Sequence, residues 1–254
     1  MPSEELTAAI EAARAAQEII LALFGKHPAV RIKPDDSPVS EADERAEEII
    51  RATLARQFPS YGFYGEESGQ QAMQADNIWL VDPIDGTKAF LRESPFFSTQ
   101  IALMREAKLV LGVSNAPAYA ELVWAEEGAG CWLNDRRVRV SAVDQLAAAA
   151  LSAGNLRSLA RSPRWQRYGE LVGRVGYSRG YGDFVHYHML ARGALDVVIE
   201  SDVNILDIAA LAVIVREAGG TFTDLEGAEV GLETTSVLAT NGALHETVLQ
   251  ALRR

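Results

Sequence analysis

The spacing of apolar positions changes along the chain, and each change predicts a different kind of element. Over residues 4–24, Leu6, Ile10, Ala13, Gln17 and Ile20 lie near one helical stripe, and Gly25 ends the helix. Pro28–Pro38 reads as a connector. Ser40-Glu41-Ala42-Asp43 opens a second helix, with Ser40 as N-cap and Asp43 placed as in a capping box. Its buried side carries Ala46, Ile49, Ile50 and Leu54, and it closes before Pro59. Gly62–Tyr64 is a short strand running into Gly65-Glu66-Glu67-Ser68, with a polar loop over Gly69–Asp76. Ile78–Val81 has strand character and stops at Asp82-Pro83, because proline cannot donate to a ladder. Gly86-Thr87 follows, and Lys88 onward reads as the first turn of a helix.

From Phe97 to Val140 the pattern is alternation: short runs at 98–103, 109–113, 120–125, 130–133 and 138–140, split by turn signals such as Asn134-Asp135. This is an antiparallel meander rather than a βαβ repeat. The character shifts near 141–150, which divides the chain into an N-terminal α+β lobe, 1–140, and a C-terminal α/β lobe, 141–254. In the second lobe Asp183–Ala191 is helical after the break at Gly180–Gly182, and Asp196–Ile199 is a strand ending in Glu200-Ser201-Asp202. Asp207 starts a strongly apolar helix that Gly219-Gly220 closes. Thr221–Thr223 and Ser236–Ala239 are closing strands, and 242–253 a last helix.

Composition narrows the classes. With 254 residues, 48% of them apolar, the chain can bury a sizeable core in one large domain or two lobes. A net charge of −11 opposes non-specific nucleic-acid binding. Cys131 has no partner for an internal disulfide, which suits a reducing compartment. The acid-loaded N-terminus is unlike a signal peptide, and no run approaches the roughly 20 apolar residues of a membrane span. The expectation is a cytoplasmic protein without nucleic-acid or membrane partners.

Acids stand at the ends of these elements: Asp43, Glu66, Glu67, Asp82, Asp85 and Asp207. The stretch 78–91 organises them. A strand that hands its chain to a helix N-terminus leaves N–H groups able to hold a phosphate, and Asp82, Asp85 and the Ile84 carbonyl offer hard oxygen donors beside it. The simpler alternatives are an ordinary Asp-Pro and Asp-Gly turn, a structural cap at Asp43, and solvated loop acids at Glu66 and Glu67. If the acids converge, each pair about 4 Å apart repels by roughly 4 kcal/mol at an effective dielectric near 20. Such a cluster either protonates or holds cations. Oxygen-only donors favour Mg²⁺, or Mn²⁺, over Zn²⁺. His186 and His188, two apart on a helix, do not share a face and read as packing or surface residues. Cys131 reads as a buried small hydrophobe. Arg157, Arg161, Arg164, Arg167 and Arg174 read as a solvated helix face, with a phosphate-reading or subunit-contact patch as the alternative. An acid-only metal site beside a helix N-terminus suits phosphate-ester hydrolysis, with two cations about 3.5–4 Å apart flanking the phosphoryl group. Thr87 can align the attacking water if a carboxylate, Asp43, accepts its proton.

Gly65-Glu66-Glu67-Ser68, Asp82-Pro83-Ile84-Asp85-Gly86-Thr87 and Asp207-Ile208-Ala209-Ala210, followed by Glu217-Ala218-Gly219-Gly220, resemble the inositol monophosphatase superfamily from about Lys33 to Gly220. The resemblance implies an α/β (α+β) five-layered α-β-α-β-α sandwich of the inositol monophosphatase and fructose-1,6-bisphosphatase type. It implies a Mg²⁺-dependent, lithium-sensitive phosphomonoesterase, commonly dimeric, with two or three Mg²⁺ per site and Mn²⁺ as substitute. It assigns metal contacts to Glu66, Asp82, the Ile84 carbonyl, Asp85 and Asp207, with Glu67 as a further acid beside the cations. Thr87 with Asp43 resembles the water-activating pair, and the Gly86 and Thr87 N–H groups the phosphate cradle. Leu206 departs from the family's usual Trp before the third-motif Asp. The segment Arg179-Gly180-Tyr181-Gly182-Asp183-Phe184 looks most like the histidinol-phosphate phosphatase branch. There Asp183, Glu200 and Arg179 are the substrate-binding candidates, and Asp202 adds a carboxylate that favours an amine-bearing alcohol phosphate. The alternatives are an Asp183 that merely caps its helix, an inositol-1-phosphate phosphatase, a 3′-phosphoadenosine-5′-phosphate phosphatase, and a phosphate- or cation-binding protein without turnover.

Overall fold

In the computed structural model, which describes residues 2–33 and 38–253, the chain begins with helix α1 (Glu4–Leu23). Alanines 8, 9, 12, 13 and 16 are buried along it beside Leu6 and Ile20, so its backbone lies close to its neighbours. The expected connector contributes a short antiparallel pair, β1 (Val30–Ile32) with β2 (Pro38–Ser40), and 34–37 lie outside the described residues. Next come α2 (Glu41–Gln57), β3 (Gly62–Gly65), β4 (Gly69–Gln71), β5 (Asn77–Asp85) and α3 (Thr87–Phe90). The polar loop after Ser68 thus contains a strand, β4, which pairs with β3 at the sheet edge. The meander follows as β6 (Ser98–Arg105), β7 (Lys108–Ala116), β8 (Glu121–Glu126), β9 (Gly130–Leu133) and β10 (Arg136–Val138). The remainder is β11 (Ala150–Ala153), α4 (Leu156–Arg161), α5 (Trp165–Val172), β12 (Tyr177–Arg179), α6 (Asp183–Ala191), β13 (Val197–Ser201), α7 (Ile205–Glu217), β14 (Thr221–Thr223), β15 (Ser236–Thr240) and α8 (His245–Arg253).

An eight-stranded sheet runs β10-β9-β8-β7-β6-β5-β3-β4, antiparallel except for the parallel β3–β5 pair, and a five-stranded mixed sheet runs β12-β11-β13-β15-β14. Apolar surfaces separate the layers. α1 and α2 cover one face of the large sheet, α6 and α7 fill the space between the sheets, and α4, α5 and α8 cover the far face of the small one. This is the five-layered α-β-α-β-α sandwich. α7 is apolar all round because sheets lie on both its sides. Gly112 on β7 permits that approach: a Cβ there would meet the Ala210 carbonyl at 2.3 Å. Leu206, where the family usually has Trp, is 3% exposed within this middle core.

β5 departs most from expectation. It does not stop at Pro83 but continues to Asp85 through an irregularity, with Asp82 opposite Gln100 and Asp85 opposite Ser98. Two residues on β5 therefore face one on β6, a bulge that places the proline where no ladder N–H is needed. The Thr99 hydroxyl donates to the Pro83 carbonyl at 2.9 Å. In a regular strand, side chains three apart point to opposite faces; the extra residue turns Asp82 and Asp85 to one side. Cys131 is buried in the middle core, and burial pushes its thiol up to about 12. Among the described residues no helix is long and apolar enough to cross a membrane.

Candidate active site

Two helices deliver carboxylates to one place by the same local device. At the start of α2, Ser40 caps the helix and its N–H donates to Asp43 Oδ2 at 2.8 Å. At the start of α7, Asn204 caps the helix, and its N–H and Nδ2 donate to Asp207 Oδ2 and Oδ1, each at 2.8 Å. The helix therefore begins before Asp207, which is its third residue; Asn204-x-x-Asp207 already carries the capping-box spacing. Asp43 is more than a cap. Its Oδ2 serves Ser40, while Oδ1 accepts from the Thr87 hydroxyl at 2.9 Å. Thr87 Oγ1 also lies 3.0 Å from the Ile84 carbonyl, so its one proton has two acceptors within reach.

The β5 bulge completes the cluster. Asp82, Asp85 and Asp207 offer oxygens that all lie within 4.8 Å of one another. They line a cleft of about 300 Å³ with Glu66, Ile84, Gly86, Thr87 and Asp183. Gly86 adopts φ +90°, and a Cβ there would meet the Phe96 carbonyl at 2.5 Å, so the turn into α3 requires glycine. A smaller cavity of about 30 Å³ adjoins, bounded by Asp85, Asp183, Tyr187, Glu200 and Asp207. Asp183 is the first residue of α6, Gly182 is the cap, and no side-chain cap hydrogen bond forms; the capping alternative is not realised.

Other candidates lie apart. Arg179 stacks on the Tyr177 ring at 4.5 Å on the edge strand β12 and lines neither cavity. None of the five arginines at 157–174 lines either cavity. His186 and His188 are both buried rather than at the surface. His188 lies 2.8 Å from Ser114 Oγ and 3.1 Å from Glu121, and burial lowers its pKa.

Glu47 and Lys33 are the polar residues that sequence reasoning missed. Glu47, one turn beyond Asp43 on the buried face of α2, accepts the Glu67 and Ser68 N–H groups at 2.8 Å and so shapes the Glu66-Glu67 turn. Its i, i+4 spacing from Asp43 was the available signal. Lys33 Nζ donates to Glu66 at 3.0 Å and Glu67 at 2.8 Å. Burial works against its charge, but Glu67 and Glu66 outweigh that and hold its pKa above the ordinary lysine value.

The acids themselves are strained electrostatically. Burial first, then the charges of Glu66, Asp85 and Asp207, raise Asp82 well above the carboxylate range; burial and Asp183, Asp207 and Glu200 do the same to Asp85. Burial lifts Asp207 and Glu67 to about 7 and Asp183 to about 6. This oxygen-only, buried, mutually repelling set fits a divalent cation of the hard class. A test follows for the metal-free protein. Because these folded-state values lie above the unfolded ones, the folded chain binds more protons between about pH 4 and about pH 7, and stability falls as pH rises through that window. Chelator-treated protein is expected to melt higher at about pH 5 than at about pH 7.5, and saturation with a divalent cation to about 100 Kd to add roughly 2.7 kcal/mol near neutral pH. A metal-free melting temperature that climbs across the window contradicts this.

Comparison with known proteins places the arrangement. The model of the inositol monophosphatase family matches residues 1–254. The histidinol-phosphatase of Mycobacterium tuberculosis is 39% identical over 258 residues, covering 99% of each chain. The inositol-1-monophosphatase of Mesorhizobium japonicum is 35% identical over 230 residues, covering 89% of this chain and 86% of the relative. Among solved structures, the extragenic suppressor protein suhB of Bartonella henselae superposes with a TM-score of 0.91 at 33% identity over 99% of both chains. Fold and site together define a phosphomonoesterase with an acidic centre able to hold metal. The chain belongs to the inositol monophosphatase family, which is generally metal-dependent.

Proposed function

We propose that this phosphomonoesterase hydrolyses histidinol phosphate to histidinol and phosphate, with Mg²⁺ as its metal, as a cytoplasmic homodimer. The observation that carries the substrate is the second acidic cavity: Asp183 and Glu200 line a space that opens beside the Asp85–Asp207 cluster, where the leaving alcohol's amine would find carboxylates. The name of the M. tuberculosis relative supports the same substrate. Segments 1–140 and 141–254 are proposed as two lobes sharing one centre, the first giving Glu66, Asp82 and Asp85, the second Asp183, Glu200 and Asp207.

Glu66, Asp82, the Ile84 carbonyl, Asp85 and Asp207 would hold the two or three Mg²⁺, with Mn²⁺ as substitute and Glu67 beside them. A cation bound there supplies charge neutralisation for the phosphoryl oxygens and a more acidic water. The chain's own groups do the rest. Gly86 and Thr87 N–H groups, which at the start of α3 have no side-chain cap among the described residues, donate to the phosphoryl oxygens. Thr87 Oγ1 accepts from the attacking water while donating to Asp43 Oδ1. As oxygen bonds to phosphorus, the water's proton passes to Thr87 and the Thr87 proton to Asp43; the ester P–O bond breaks, and solvent protonates the leaving alkoxide. Burial, which raises the Asp43 pKa against the Ser40 and Thr87 hydrogen bonds, suits it to that proton.

The test is steady-state phosphate release with Mg²⁺ across histidinol phosphate, inositol 1-phosphate, fructose 1,6-bisphosphate and 3′-phosphoadenosine 5′-phosphate. Histidinol phosphate is expected to have the highest kcat/KM by about tenfold or more. Asp183→Asn is expected to cost histidinol phosphate about tenfold more than inositol 1-phosphate, the scale of a lost charged hydrogen bond. A higher kcat/KM for inositol 1-phosphate, or equal losses on both, contradicts the proposal.

A further inference from the structure

Glu200 is held through one of its oxygens. Its Oε2 accepts from the Tyr187 hydroxyl at 2.7 Å and lies 3.1 Å from His186 Nε2, while Oε1 accepts from no described residue. Oε1 occupies the space beside Gly154 that a Cβ would need, only 1.9 Å from that position. Glycine at 154 thus makes room for this oxygen of Glu200, a residue that lines the small cavity.

His186 is wholly buried and continues the network away from Glu200. Its Nδ1 lies 3.3 Å from Ser152 Oγ, which accepts the Tyr181 backbone N–H at 3.2 Å. An ionised carboxylate can only accept, so the neutral ring carries its proton on Nε2 and the direction of the chain is set at the Glu200 end. Tyr181 N–H donates to Ser152, the Ser152 hydroxyl to His186 Nδ1, and His186 Nε2–H to Glu200. In this tautomer both ring nitrogens of His186, the Ser152 hydroxyl and Glu200 Oε2 are paired. A ring protonated on both nitrogens would instead turn a second donor onto Ser152 and strip its hydroxyl of the Nδ1 acceptor. The relay runs between the neighbourhoods of two of the four acids that line the small cavity: Tyr181 stands two residues before Asp183, and Glu200 is the last acceptor.

We infer that His186 is a specificity-determining positioning residue, which through Ser152 and Glu200 fixes the Asp183–Glu200 pair against a cationic leaving group. The inference rests on the amine-bearing substrate proposed above. Without His186, Glu200 keeps a single donor and is free to turn its lone pairs out of the cavity, and Ser152 no longer ties the Tyr181 loop to β13. An ester whose alcohol is neutral draws little from that alignment; one bearing an ammonium draws much.

The experiment compares kcat/KM on histidinol phosphate and on glycerol 2-phosphate, with Mg²⁺, in the wild-type enzyme and three variants. His186→Phe keeps a ring of similar size without donors, and is expected to lower the ratio of the two kcat/KM values about tenfold, chiefly through KM for histidinol phosphate. His186→Gln, whose amide nitrogen falls near the place of Nε2, is expected to restore most of the ratio. Ser152→Ala is expected to shift it in the same direction as His186→Phe. A merely structural histidine would lower both esters alike, and an unchanged ratio in His186→Phe overturns the inference. If that variant does not fold, an unchanged ratio in Ser152→Ala does so. Should the wild-type enzyme turn over neither ester, the phosphatase assignment itself fails. Calorimetric binding of histidinol to wild type and Ser152→Ala then decides the relay, equal affinities overturning it.

Discussion

Asp85→Asn is expected to lower Mg²⁺-dependent kcat/KM by about a thousandfold, roughly 4 kcal/mol of transition-state stabilisation, the scale of a lost electrophilic metal contact. The reason lies in the bulge of β5. Asp85 reaches the cluster with Asp82 and Asp207 only because two β5 residues face one on β6. The variant also tests the electrostatics from the other side. The substitution removes one like charge from a buried set whose members raise one another's pKa. The metal-free variant should therefore melt no lower than metal-free wild type, with an unchanged far-UV spectrum. Phosphate release within about tenfold of wild type would remove Asp85 from the metal set.

Thr87→Ala is expected to lower kcat by about a hundredfold or more with little change in KM, as for a group whose contribution is made in the transition state. Thr87 has a hydroxyl 2.9 Å from Asp43 and 3.0 Å from the Ile84 carbonyl, and the first of these is the path proposed for the proton. Thr87→Ser should keep most of the activity, because the hydroxyl is retained. A variant that raises KM alone would make Thr87 a binding residue and leave Asp43 as nothing more than the cap that its Oδ2 already is.

The elements were largely readable because their signals are local. The meander alternates, and α1 and α2 carry stripes with recognisable ends. What could not be read is how the chain turns at the acids. Nothing in Asp82-Pro83-Ile84-Asp85 distinguishes a strand that ends from one that bulges, since both outcomes spare proline a ladder bond. The start of α7 was displaced because Asp is acceptable both as a cap and three residues later, and only the Asn204 partner decides between them. Lys33 stands 33 residues from Glu66, and that pairing depends on where β1 and the helix after it are packed. Arg179 lies near Asp183 in the chain, yet its guanidinium stacks on the Tyr177 ring of the edge strand and lines neither cavity. His186 reads from the sequence as a packing or surface residue; its neighbours Ser152 and Glu200 come from separate strands that only the folded sheet brings together.

The arrangement of acids stands or falls with a cation among them, and a crystal of the protein soaked in Mn²⁺ shows this directly. Anomalous difference density is expected between the carboxylates of Asp82, Asp85 and Asp207, and it should vanish in Asp85→Asn crystals treated alike. Density that is absent there in the wild-type protein, or found only elsewhere, would contradict the metal centre and the phosphate chemistry built on it.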